Sequence, residues 1–257
     1  MEPRAKTMTS PPSTLRQWLA EAPFTLTLSS GFFGFFAHAG FVSALEDEGL
    51  TPARLTGSSA GALVAALWAS GRAVDDLREV LFALRKADFW DPGLGAGLLK
   101  GGLFAETLEE LLGVTTFEQC RWPVAVSVFE LGRLRTRVVD SGPLNPAVRA
   151  SCAFPGLFHP VRLEGRLAID GGVLDRSGLA AVPPDTRVLY HHLSTSSKVR
   201  RHLRRLSGVP KRPGLCPIVI HGLPKVRPNH LDRGPLAFQR AREGLLRALD
   251  APAEVMN

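Results

Sequence analysis

Gly57-Ser58-Ser59-Ala60-Gly61 sets a serine among small neighbours at a point where a short strand, Ala53 to Thr56, passes into an Ala/Leu-rich helical run, Ala62 to Ala69. A serine on such a tight turn presents its oxygen to solvent, and the small flanking residues let the strained turn form and a substrate approach. Its hydroxyl is a poor nucleophile, so the chemistry needs a base, and acyl transfer also needs donors for a developing oxyanion. Ser29-Ser30-Gly31-Phe32-Phe33-Gly34 offers backbone N–H groups at the start of another helix, where the dipole also favours negative charge. Ile169-Asp170-Gly171-Gly172 closes a predicted hairpin, and its glycine pair lets Asp170 project from the strand end into a cleft. A nucleotide-binding turn is the competing reading of Ser29 to Gly34. Its G-x-G-x-x-G pattern is incomplete, because Ser29 stands for the first glycine and no acidic ribose partner follows the next strand.

The elements that must hold these residues follow from periodicity. Phe24 to Leu28 alternates with period two, and Phe35 to Gly49 turns to helical spacing, a strand, glycine turn and helix. The Ser59 segment repeats that unit at once. Helices are predicted at Asp75 to Lys86, Phe104 to Leu112, Asn145 to Ser151 and Leu236 to Leu249. Strands are predicted at Val124 to Phe129, Arg135 to Val139, Val188 to His192 and Pro217 to His221, with a hairpin from Val161 to Ile169 turning at Glu164-Gly165. Gly93 to Gly102 reads as a flexible loop able to gate a site. The alternation predicts an α/β fold with a largely parallel sheet covered by helices.

Composition narrows the partners. With 257 residues, 45% hydrophobic and 21% charged, the chain can bury a full core, which excludes disordered and collagen-like classes. Its three cysteines, Cys120, Cys152 and Cys216, form no metal-type spacing and no even set for a disulfide scaffold. The net charge of +7 is uneven: from His191 onward, 13 Lys/Arg face 4 Asp/Glu, a balance of +9. The densest run, Lys198 to Arg205, suits an anionic membrane surface. It carries no interleaved aromatics, which sets nucleic acid aside. The polar stretch before Pro23 has no secretory h-region, and Ala22 to Leu45 is too polar and glycine-broken for a spanning helix. A cytoplasmic or peripheral location is therefore expected, with residues 1–22 a flexible N-terminal segment and 23–257 one catalytic domain, basic from about residue 191.

Taken together, the glycine-rich turn and helix (Ser29 to Gly40), Gly57 to Gly61, Ser151-Cys-Ala-Phe-Pro-Gly156 and Asp170 to Gly172 resemble the patatin-like phospholipase family in kind, order and spacing. The resemblance covers about residues 24 to 180. It implies a three-layer α/β/α fold and a Ser–Asp dyad, with Ser59 the nucleophile, Asp170 the base, and backbone donors at Ser30, Gly31 and Phe32. Gly34, Gly57, Gly61, Gly171 and Gly172 fall on the motif glycines. The implied substrates are acyl esters of phospholipids, lysophospholipids or related lipids, and no metal or organic cofactor is implied. Two departures stand out. The family loop usually reads Gly-Gly-Gly-x-Arg/Lys-Gly, where this chain has two serines and Phe33, and Arg176 and Gly178 stand where Asn and Pro are common after D-G-G. Phe32, Phe33, Phe35 and Phe36 are candidate walls of an acyl pocket.

Other readings remain open at this level. A Ser–Asp–His triad of the α/β-hydrolase order would recruit His191, His192, His221 or His230, but only one strand precedes the Ser59 strand, too few for that fold. His38 and His159 read as structural. A catalytically silent lipid-binding module, or an acyltransferase using the same residues, would share every motif named above.

Overall fold

A computed structural model describes residues 13–194 and 208–256. In chain order the elements are α1 (Leu15–Glu21), β1 (Thr25–Leu28), α2 (Phe35–Asp47), β2 (Arg54–Ser58), α3 (Ala60–Ala69) and α4 (Val74–Ala83). Then come β3 (Gly97–Leu99), α5 (Gly102–Leu112), β4 (Val124–Glu130), β5 (Arg135–Val139), α6 (Leu144–Cys152) and β6 (Gly156–Phe158). The chain closes with β7 (Val161–Leu163), β8 (Arg166–Asp170), β9 (Val188–His192), β10 (Leu215–Val219) and α7 (Gly234–Leu249).

Eight strands make one sheet in the order β10-β9-β1-β2-β4-β8-β7, with β5 beside β4. Pairing is parallel from β10 through β4 and antiparallel at β5, β8 and β7. This is the expected α/β arrangement. Side chains alternate across each strand. On one face Leu26, Leu28 and Leu189 join the main core with α2, α3 and α7, while Val188, Tyr190 and Leu215 build a smaller cluster on the other. The hairpin turn falls at Glu164 and Gly165, both at positive φ (47° and 79°), as a type I′ connection requires.

The register along β4 decides where β2 and β8 end. Its first half, Val124 to Ser127, pairs with β2, and its second half, Val128 to Glu130, pairs with β8. Since β5 pairs with Val126 to Glu130, it occupies the opposite edge, and β2 and β8 share one edge end to end. Two strands that approach from opposite directions therefore finish on adjacent residues of β4.

Two expectations are corrected. Residues 15–21, assigned to a flexible segment, form α1 under a Thr14/Gln17 capping box and bury Leu15, Trp18 and Leu19. A hydrogen bond from Leu15 N to Ala251 O (2.9 Å) ties α1 to the end of α7. Gly93 to Gly102 contains β3, which pairs in parallel with β6. A Cβ at Gly97 would sit 2.4 Å from the Phe158 carbonyl carbon, so glycine permits the pairing. The stretch Ala22 to Leu45 is β1, a turn and most of α2. No helix among the described residues is long and apolar enough to cross a membrane. The basic run Lys198 to Arg205 lies outside the described residues.

Candidate active site

Ser58 ends β2 opposite Ser127, and Asp170 ends β8 opposite Val128. The residue after Ser58 thus leaves the sheet beside Asp170. Ser59 adopts φ 53° and ψ −121°, a left-handed conformation that costs a non-glycine residue energy and aims its side chain away from the strand. Its Oγ donates to Asp170 Oδ2 at 2.6 Å. The other carboxylate oxygen, Oδ1, accepts from Gly172 N at 2.7 Å, which fixes the orientation of the group. The turn glycines are required by contact. A Cβ at Gly57 would lie 2.5 Å from the Gly61 carbonyl carbon, and one at Gly171 would lie 2.0 Å from Ser127 O.

The end of α6 braces the pair. Ser59 N donates to Ser151 Oγ (2.9 Å), Ser151 Oγ donates to Ser127 O (2.7 Å), and Asp170 N donates to Ala153 O (3.0 Å). Cys152 Sγ donates to Ser59 O at 3.3 Å, and burial holds its thiol pKa well above the usual value, so it stays protonated. The Ser151 to Ala153 segment therefore grips both residues through their backbones. The sequence marks this segment as a motif without disclosing that role. Ser151→Ala removes a fully buried hydroxyl and leaves the Ser59 amide without its acceptor. It is expected to cost about 1–3 kcal/mol of stability, measured by urea unfolding.

Of the three expected donors, Ser30 is already engaged, its amide bonding Arg176 O at 2.8 Å. Gly31 and Phe32 amides donate to no acceptor among the described residues, and both residues line the cleft that holds Ser59. The loop is clamped from behind at Ser29. Its N–H donates to His191 O (3.2 Å), its Oγ accepts from Leu193 N (2.9 Å), and its carbonyl accepts from His38 Nε2 (2.7 Å). A carbonyl only accepts, so His38 carries its proton on Nε2, and its bare Nδ1 accepts from His191 Nδ1 at 2.9 Å. Neither histidine reaches Ser59 or Asp170 through a hydrogen bond; both are fully buried, and His191 stacks on Phe41. Neither His38 nor His191 is therefore placed as the third member of a Ser–Asp–His triad.

Burial pushes the His38 pKa down to about 4 and holds that of His191 well below 6.5. Below pH 6.5 the unfolded chain takes up a proton that folded His38 refuses, so stability falls as pH drops from about 6.5 to about 4. For His38 alone the loss is about 3 kcal/mol. Urea unfolding between pH 7 and pH 4.5 measures it, and the slope is expected to shrink in His38→Gln. An undiminished slope would contradict the clamp.

In front of the pair opens a cleft of about 620 Å³ with mostly apolar walls. Phe33, at φ 56°, packs its ring against Phe35 (5.4 Å) and Phe89 (5.6 Å), and the exposed Phe32 leans on Phe154 (5.8 Å). Phe36 is buried in the core instead. A serine bound to a carboxylate beneath an apolar cleft can carry out acyl transfer without a metal. Among the described residues no cluster of three His, Cys, Asp or Glu side chains could hold one.

The fold is α/β, with a serine and an aspartate hydrogen-bonded where two strands of its sheet end. The sequence model of the family described as Patatin-like phospholipase matches residues 26–182, and the chain belongs to that family. An uncharacterized NTE family protein of Mycobacterium tuberculosis is 31% identical over 176 residues, 66% of this chain and 49% of the relative. A neuropathy target esterase of Drosophila grimshawi is 26% identical over 178 residues, 63% of this chain and 12% of that protein. The chain thus spans about half the length of the first of these curated relatives and less of the second. Among solved structures, VipD from Legionella pneumophila aligns with TM-score 0.64 at 13% identity, covering 91% of this chain and 68% of that one. The type III effector ExoU aligns at 0.53 and 15% identity over 88% and 52%. Both likenesses are of fold.

Proposed function

We propose that this protein is a serine acyl hydrolase that cleaves carboxylic ester bonds of lipids through Ser59 and Asp170. The observation that carries the reading is the 2.6 Å hydrogen bond from Ser59 Oγ to Asp170 Oδ2 at the mouth of an apolar cleft. Family membership and the names of its esterase relatives support the substrate class. In the mechanism, Asp170 takes the Ser59 proton as the oxygen attacks the ester carbonyl. The Gly31 and Phe32 amides and the start of α3 stabilise the tetrahedral oxyanion, each donor contributing about 3–4 kcal/mol. Asp170 returns the proton to the leaving alcohol. A water then gives its proton to Asp170 as it attacks the acyl-enzyme carbonyl, and Asp170 passes that proton to Ser59 Oγ as the Ser59–acyl bond breaks and the fatty acid leaves.

The acceptor in the second half of the reaction decides between hydrolase and acyltransferase. The cleft opens to solvent at Phe32, which favours water. Fluorophosphonate labelling tests the reading: Ser59 is expected to become covalently modified in the wild type, and Ser59→Ala to stay unlabelled. An unlabelled wild type would instead support a lipid-binding module without catalysis.

A further inference from the structure

Two hairpins rise past the Ser59–Asp170 pair. β4 passes Ser127, opposite Ser58, and runs on for three residues, about 10 Å, to Glu130 before the chain turns back into β5. β8 comes down from the same side: Arg166 lies four residues, about 13 Å, before Asp170 on its strand. Leu131 N, in the β4–β5 turn, donates to Leu167 O at 3.0 Å, which joins the two hairpins beyond the sheet. Ala153 O accepts from Asp170 N, so the exposed Phe154 at the cleft mouth follows a residue bonded to the end of β8. Both tips therefore stand at the end of the sheet where the cleft opens.

Their composition is unlike that of the chain around them. Residues 130–137 and 162–166 carry five arginines and two glutamates, although acidic residues outnumber basic ones before His191. Glu130 is buried, and its carboxylate holds Arg133 Nε at 3.3 Å and Arg166 Nη1 at 3.6 Å, one charge for two half-exposed guanidinium groups. Arg137 Nη2 donates to Glu164 Oε2 at 2.7 Å and braces β5 to the β7–β8 turn. Arg135 and Arg162 are exposed and pair with no carboxylate among the described residues. Between Arg133 and Arg135 stands Leu134, 71% exposed and held at φ 49°. A leucine in that conformation costs energy, and at this exposure packing returns little of it. Leu167, next to Arg166, is exposed as well.

We propose that these two tips dock the protein on an anionic lipid surface, Leu134 entering the interface while Arg133, Arg135, Arg162 and Arg166 pair with lipid phosphates around it. The choice of a lipid surface rests on the proposed ester chemistry at Ser59. Charge complementarity selects the anionic kind, each arginine near such a surface strengthening binding about fivefold. A leucine set between arginines on a projecting turn suits that interface, where it passes below the headgroups that the arginines hold. Docked so, the lipid surface meets the end of the sheet at which the cleft opens.

Binding is read by vesicle flotation on Ser59→Ala, so that no lipid is consumed. This variant is expected to bind vesicles of phosphatidylglycerol in phosphatidylcholine, to ignore phosphatidylcholine alone, and to lose affinity as salt rises. In that background Arg135→Gln is expected to bind about fivefold more weakly and Leu134→Asn about tenfold more weakly. Asparagine adopts a left-handed conformation readily, so Leu134→Asn is expected to unfold no earlier than its parent in a thermal scan. Arg247→Gln, on α7 outside both hairpins, is the control and is expected to bind as its parent does. The basic run Lys198 to Arg205 is intact in every variant. Binding undiminished by either hairpin substitution, or equally diminished in Arg247→Gln, would overturn the docking surface. Equal binding to neutral vesicles, or none to anionic ones, would overturn it as well. Wild-type hydrolysis of p-nitrophenyl butyrate, an ester in solution, and of the vesicle lipids reads the Ser59 chemistry separately. Hairpin-dependent binding with neither ester cleaved would keep the surface and overturn the chemistry, and cleavage with hairpin-independent binding would do the reverse.

Discussion

Asp170→Asn is expected to lower kcat by about 10³–10⁴-fold with little loss of stability. The substitution preserves shape, and an amide oxygen in the place of Oδ1 still accepts from Gly172 N, so the D-G-G turn keeps its hydrogen bond. What disappears is basicity. An amide cannot take the Ser59 proton, and its nitrogen at the Oδ2 position would donate toward Ser59 Oγ, reversing the 2.6 Å hydrogen bond that readies the serine. Steady-state kinetics on a soluble ester, with unfolding midpoints alongside, separate this from a folding defect. A kcat within tenfold of wild type would remove Asp170 from the reaction.

The second large effect is structural. Gly61→Ala is expected to destabilise the protein by roughly 3–5 kcal/mol, at the upper end for a single substitution. A Cβ there would lie 2.1 Å from Leu28 O, 2.5 Å from Leu28 C and 2.7 Å from Ser29 O. Each neighbour is backbone, in β1 or in the first residue of the donor loop, and no rotamer change relieves the clash. α3 would have to lift off the sheet, carrying Ser59 away from Asp170. Gly132→Ala is the matched control, since a Cβ at Gly132 meets nothing within 4 Å. Denaturant unfolding of the two variants should differ by several kcal/mol, and equal midpoints would refute the close-approach argument.

Much of this architecture is legible in the chain because local pattern and tertiary role agree. The period-two run Phe24 to Leu28 became β1, Glu164-Gly165 met the φ demands of its turn, and the Ala/Leu run after Gly61 became α3. α1 is harder to read because its apolar stretch is short. Leu15, Trp18 and Leu19 nevertheless stand at i, i+3 and i+4, and Thr14-x-x-Gln17 is a capping box, so the signal is present in the sequence. The pairing of β3 with β6 carries no such signal, since two three-residue strands far apart in sequence meet through the close approach at Gly97 and the pairing of Leu99 with Phe158.

In the site, the residue types pointed to Ser59 and Asp170, and the shared edge of β4 brings them together. Their supports were not legible. The Ser151 brace and the His38 clamp act through backbone groups of residues distant in sequence, and such partners are fixed only when the sheet forms. The engaged Ser30 amide is the same kind of fact: its acceptor, Arg176 O, belongs to the turn after D-G-G.

The most direct test of the Ser59–Asp170 account is mass spectrometry of free fatty acid released from mixed-lipid vesicles by wild type, Ser59→Ala and Asp170→Asn, side by side. The account predicts release by the wild type, none above background from Ser59→Ala, and at least a hundredfold less from Asp170→Asn than from wild type. Release from Ser59→Ala at the wild-type rate would contradict it outright.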